Sequence, residues 1–124
     1  MNKIISFDPS RVMVNIDRDF NVSTSEIKRG PPESFDGLNI GMTTLEYDPP
    51  HAGEVHLDGD EVLYIISGSV RVTSDSNPGQ SLELNAGDAC IIEKGEWHKV
   101  HILEKTRPIH ITPGPNNDHR DKIG

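Results

Sequence analysis

At 124 residues and 33% apolar side chains, the chain has room for one hydrophobic core and too little for two. Its formal charge of −8 would repel phosphate surfaces, so neither nucleic acid nor an anionic membrane is expected as a partner. Its one cysteine, Cys90, leaves no internal disulfide to form, which fits a reducing compartment.

The opening Met1 to Phe7 lacks the long apolar run and small-residue cleavage site of a signal peptide. No later stretch approaches the ~20 apolar residues that span a bilayer, so a cytoplasmic location is expected. Val12, Val14 and Ile16 then alternate, predicting a first strand within an N-terminal segment 1–22. Ser23 to Gly37, rich in Ser, Lys, Gly and Pro, reads as a loop or lid over 23–37. From about residue 38 to 113, short β-branched runs follow one another: Ile40–Tyr47, Val62–Ile66, Val70–Val72, Leu82–Leu84, Ala89–Ile92, Val100–Leu103 and Ile109–Ile111. Asp58-Gly59, Ser67-Gly68, Asn77-Pro78-Gly79, Asn85-Ala86-Gly87 and Lys94-Gly95 separate them as turns. This spacing predicts a single all-β domain, a sandwich or barrel, spanning 1–124. The polar tail 114–124, opening Gly114-Pro115, is expected to leave the core.

Two stretches carry chemistry. In the first, Glu54 and His56 are two apart and share a strand face, and the Asp58-Gly59 turn is expected to return Glu61 beside them in a hairpin. Glu61, Leu63 and Ile65 fall on one face, with Val62, Tyr64 and Ile66 on the other. A carboxylate heading so apolar a strand needs a cation or hydrogen bonds to be buried. In the second, Gly87 to Trp97 reads as turn, strand and turn, with His98 starting a new strand. A set of two imidazoles and one or two carboxylates suits Fe(II), Mn(II), Ni(II), Co(II) or Zn(II) and leaves positions open for a substrate.

These two stretches resemble the paired motifs of the cupin superfamily. His56, four residues, Glu61, six residues and Gly68 match the second half of its first motif; Gly87, five residues, then Gly95 and His98 match most of its second. The resemblance implies a double-stranded β-helix, or jelly roll, with His56, Glu61 and His98 as ligands of a divalent transition metal ion. The chain departs from the pattern at four positions. Glu54 stands at the motif's first histidine, Asp48 at its leading glycine, Glu93 at the proline and Ile102 at the closing asparagine. Glu54 is therefore either a fourth ligand or a general base, and His51 is a further candidate ligand, since Gly53 lets its loop fold inward. Tyr64 and Trp97 are candidates to wall a cavity, and Tyr64 could supply a proton.

The remaining polar residues read more plainly. His101 points away by alternation, His110 either lines the pocket or sits half-buried in the sheet, and His119 belongs to the tail. Asp58 and Asp60 lack a calcium loop's pattern and read as a solvated turn. Cys90 behaves as a small apolar residue. Three functions compete. The first is a metal-dependent enzyme on a small polar organic substrate, with dioxygenase chemistry implied first by the resemblance and isomerase or lyase chemistry next. The others are a non-catalytic module binding a sugar or metabolite, and a metal-independent sugar isomerase or epimerase using a His–carboxylate pair. A homodimer is expected, with the strand around Arg11 to Ile16 as the edge that pairs.

Overall fold

The computed structural model describes residues 3–28 and 34–122, so positions 29–33 of the expected loop and both chain ends lie outside the described residues. Nine strands and no helix occur among the described residues: β1 (Val12–Asp17), β2 (Val22–Glu26), β3 (Gly37–Met42), β4 (Glu54–His56), β5 (Glu61–Ser74), β6 (Ser81–Asn85), β7 (Ala89–Ile92), β8 (His98–Pro113) and β9 (Asn117–His119). Among the described residues no helix is long and apolar enough to cross a membrane.

The long strands β5 and β8 pair antiparallel with each other and form a spine common to two walls. On one side the order runs β2-β1-β3-β8-β5-β7; on the other it runs β9-β4-β8-β5-β6. The spine bends between them, where its register shifts three times from Ile65 to Val70. That irregularity has a packing purpose. Before it β5 buries Glu61, Leu63 and Ile65, and after it Val70 and Val72, so the inward parity changes once. Gly68, at φ +89°, sits at the bend, where any Cβ would run into the Lys105 carbonyl. Thr106, fully buried, accepts from Ser69 N at 3.1 Å and donates to the Glu104 carbonyl at 2.8 Å, which locks the bend.

Leu63, Ile65, Val70, Val72, Leu84 and Ile92 form the core between the walls, with Cys90, Val100 and Ile102 packed against it. Each fully buried aliphatic side chain contributes about 1.5–3 kcal/mol. The result is the expected all-β jelly-roll barrel.

Four local expectations are corrected. Ser23 to Glu26, at the start of the stretch read as a loop, instead belong to β2; the strand's side chains are all exposed, so the backbone ladder to β1 holds it and no alternation announces it. The strand β1 is not a free edge, because β2 and β3 flank it on both sides. The Asp58-Gly59 turn does not close a hairpin: β4 pairs with β8 and β9, and β5 with β6, β7 and β8. The C-terminal tail does not leave at Pro113 but turns back as β9 onto β4.

Candidate metal centre

The polar end of the barrel interior is built where three strands begin. Glu54 and His56 project from the same face of β4, Glu61 heads β5 and His98 heads β8. The ladder places Glu54 directly opposite His98. Gly95 N donates to the His56 carbonyl at 2.9 Å, which ties the turn before His98 to the strand that carries the first two groups. Each of the four side chains offers one donor atom, and these atoms all lie within 4.8 Å of one another. His56 Nε2 is 3.1 Å from Glu61 Oε2 and 3.9 Å from Glu54 Oε1; His98 Nε2 is 3.4 Å from both Glu61 Oε1 and Glu54 Oε1.

The tautomers decide what this cluster can do. His98 Nδ1 lies 3.0 Å from the Glu96 carbonyl, which can only accept, so this nitrogen carries the proton. His56 Nδ1 likewise faces Asn117 Oδ1 at 2.9 Å. In the neutral rings both Nε2 atoms are then left with lone pairs aimed at the two carboxylates. Both are buried and neither has a hydrogen-bond partner. Native interiors rarely orphan such atoms, and a cation among four converging donors satisfies them all. The residues fit a metal ion.

The electrostatics agree. Burial alone would raise the Glu61 carboxyl, but His56, His98 and the Thr112 hydroxyl outweigh it and hold the group far below the usual carboxylate range. Burial would lower His98, yet its contacts with Glu54, Glu61 and the Glu96 carbonyl push it up to about 10. His56 is raised as well, with Glu61 overcoming the cost of burial. Both rings are thus drawn toward positive charge by the carboxylates they face. A divalent ion held among two neutral imidazoles and these carboxylates would answer the same demand for positive charge.

Residues 43–112, more than half of the chain, match the cupin-domain family. The chain belongs to the cupin family. No curated protein matches its sequence. Among solved structures, this cupin is similar to a cupin-2 domain protein from Shewanella frigidimarina, with 22% identity, TM-score 0.55, and 73% of this chain and 85% of that one covered. A cupin protein from Bacteroides fragilis is similar at 18% identity and TM-score 0.54, over 73% and 85% of the two chains. Salicylate 1,2-dioxygenase from Pseudaminobacter salicylatoxidans matches at 13% identity and TM-score 0.55, over 66% of this chain but 25% of that one. At these identities the likeness is one of fold.

The cupin's other candidates fall outside the cluster. His51 Nδ1 accepts from Gly53 N at 3.2 Å, which puts its proton on Nε2, 3.7 Å from Glu54 Oε2; it faces that carboxylate as a donor and not as a ligand. Tyr64 sits on the outward face of β5 with 46% of its surface exposed, so alternation removes it from the site it was expected to serve. Trp97 takes Arg120 over its ring at 4.1 Å. His101 is bonded to Asp48 at 3.2 Å. Asp48 also accepts from Ile102 N at 2.6 Å, so two positions that depart from the motif are bonded to each other. Asp58 and Asp60 are structural: they accept from Asn116 and from Lys94 N.

Two supporting residues, Thr112 and Asn117, were not among the candidates, and His110 takes the inward of its two readings. The Thr112 hydroxyl donates to Glu61 Oε2 at 2.6 Å and accepts from His110 Nδ1 at 3.0 Å, so His110 lies inside the barrel behind Glu61. Burial depresses the His110 pKa. Gly41 leaves room for this ring, since a Cβ there would come within 2.5 Å of its Nε2. The spacing of His110 and Thr112 on one strand face was a usable signal. Asn117, in the polar tail, gave none.

Proposed function

We propose that this cupin is a single-domain, cytoplasmic metalloprotein that binds one divalent transition metal ion through His56, Glu61, His98 and Glu54, and acts as a metal-dependent enzyme on a small polar organic molecule. The observation that carries this reading is the pair of buried, unpartnered Nε2 atoms facing two carboxylates. Iron, manganese, nickel, cobalt and zinc all suit such a donor set. The family resemblance puts dioxygenase chemistry first, with isomerase or lyase chemistry behind it.

The bound ion would act as a Lewis acid or electron conduit for a chelated substrate. The chain's own residues do the rest. Glu61, buried and fixed by Thr112, anchors the site. Glu54 keeps 34% of its side chain exposed, so where it does not ligate the ion it is the group placed to receive a substrate proton; His51 Nε2 stands 3.7 Å from its outer oxygen. A groove of about 510 Å³ reaches His98, with Val72, Cys90 and Ile92 as apolar lining and Ser74, Gln80 and Glu96 as polar lining. This volume lies within the range of small-molecule pockets. Among the described residues β2 pairs with β1 alone, and its outer edge supports a homodimer, which a sizing column tests.

The test is metal content. Purified protein is analysed for transition metals as isolated and after exposure to each of the five ions. About one equivalent per chain is expected, removable by a chelator. If no ion ever binds stoichiometrically, the reading is lost. Small-molecule binding that persists unchanged after chelation would favour a non-catalytic module.

A further inference from the structure

The strand β4 carries two of the four converging groups, yet β8 pairs with it only at Glu54↔His98. Most of its ladder is supplied by the C-terminal strand β9, through Glu54↔His119, Val55↔Asp118 and His56↔Asn117. That strand lies beyond residues 43–112, the part of the chain that matches the cupin family. We infer that residues 114–121 form a strap that is a working part of the metal centre, with Asn117 as the positioning residue for His56. The inference rests on the metal-binding reading above and adds a dependence that reading does not require.

Asn117 acts through the ring it holds. Its Oδ1 accepts a hydrogen bond from His56 Nδ1 at 2.9 Å, which fixes both the ring's orientation and the tautomer that exposes Nε2. The strap is fastened on both sides of this contact. Upstream, Asn116 gives two hydrogen bonds to Asp58, from N at 2.6 Å and Nδ2 at 2.9 Å, and its carbonyl accepts from Leu57 N at 3.3 Å. Downstream, Arg120 exchanges backbone hydrogen bonds with Ala52 (2.7 Å) and Gly53 (2.9 Å). Its guanidinium stacks on Trp97 and pairs with Asp75 at 2.7 Å. The chain reaches this path through Gly114, whose N donates to the Gly37 carbonyl at 2.9 Å and whose Cβ position is blocked by the Phe35 carbonyl.

These contacts are polar and lie at the surface, the class of structure that opens locally most easily. Strap docking and metal occupancy are therefore linked, and linkage is reciprocal: the factor by which docking tightens metal binding is the factor by which metal favours docking.

The test titrates full-length protein with Co(II), reading affinity and the visible ligand-field spectrum. Asn117→Ala is expected to weaken Co(II) about 10–100-fold and alter the spectrum. Asn117→Asp, which keeps an acceptor for Nδ1, should restore most of the affinity. Arg120→Ala, whose side chain touches none of the four groups, should weaken binding several-fold. Saturating Co(II) should slow amide exchange at Arg120, Ala52 and Leu57. Wild-type affinity and spectrum in folded Asn117→Ala would overturn the inference while leaving the metal reading intact. If Asn117→Ala does not fold, Arg120→Ala and the exchange rates decide: unchanged affinity with exchange indifferent to Co(II) overturns the strap. Failure of the wild type to bind Co(II) or any of the other four ions sinks the metal reading itself.

Discussion

The spine and the strap-side wall of this barrel each supply half of the metal centre, but they hold it in different ways. Glu61 and His98 head strands of 14 and 16 residues that pair with each other beside the apolar core. Glu54 and His56 sit on a strand of three residues, held by one register position on the spine and by the polar strap. Of the four side chains only that of Glu54 is appreciably exposed, at 34%, against 7% for Glu61; His56 and His98 are buried as well. A site built this way has a fixed half and an adjustable half. On the proposed reading the fixed half would set where the ion sits, and Glu54 alone in the adjustable half meets solvent.

The largest expected effect separates these halves. Glu61→Gln removes the charge that both imidazoles face and leaves a buried amide in its place. Breaking such a buried pair costs about 3–5 kcal/mol, so metal affinity should fall roughly 150-fold to 5,000-fold. Glu54→Gln, on the more exposed side, should cost about tenfold. Titration of both variants with Co(II) makes the comparison. Equal losses would mean that the two carboxylates are interchangeable and that the division into fixed and adjustable halves is wrong.

Protons sharpen the same contrast. In the metal-free protein the carboxylates push His98 up to about 10 and raise His56 as well, so metal and protons compete for these rings. Metal affinity should therefore climb as pH rises, by about tenfold per pH unit for each proton released. Calorimetry in buffers of different ionisation enthalpy counts those protons, and between one and two are expected near neutrality. Stability of the metal-free form runs the other way on the alkaline side. A raised histidine contributes fully below its unfolded value of 6.5, and this is lost as pH climbs through about 10. The depressed Glu61 contributes above its ordinary value of 4.5, and its contribution fades in acid. Metal-free protein should thus be most stable in mild acid, between those two values, and added metal should flatten the alkaline decline. Urea unfolding across pH, with and without metal, reads both limbs.

Behind the fixed half, Thr112→Val deletes the hydroxyl that orients Glu61 and separates His110 from the centre. Loss of a partner behind a ligand typically costs 10–100-fold in affinity. The lower end, about tenfold, is expected here, because Glu61 keeps both imidazole contacts. A metal titration in which Thr112→Val matches wild type would show that the spine alone positions Glu61.

How much of this could be read from residues alone follows the same divide. Spine features were legible because burial imposes a period on sequence: the alternation of Glu61, Leu63 and Ile65 fixed a face, and the spacing from His56 to Gly68 and from Gly87 to His98 carried the family resemblance. The strap was illegible because its contacts are hydrogen bonds made by Asn116, Asn117 and Arg120, residues as common in solvated tails as in docked ones. The same reason hid β2, whose Val22-Ser-Thr-Ser-Glu26 shows water every side chain. His51 misled because its loop does fold inward, but Gly53 N takes the lone pair a metal would need.

The smallest effect is expected at Tyr64, and it tests the face assignment on which the spine argument depends. Tyr64 pairs with Ile109 and Ala89 across the sheet and points outward. Removing its hydroxyl as Tyr64→Phe deletes no contact with Glu54, His56, Glu61 or His98. Stability should stay within about 0.5 kcal/mol of wild type, and Co(II) affinity within about twofold. A tenfold loss would place the phenol inside the barrel. Because side chains alternate along β5, it would also put Glu61 outside, and no shared point would remain for two imidazoles and two carboxylates to surround.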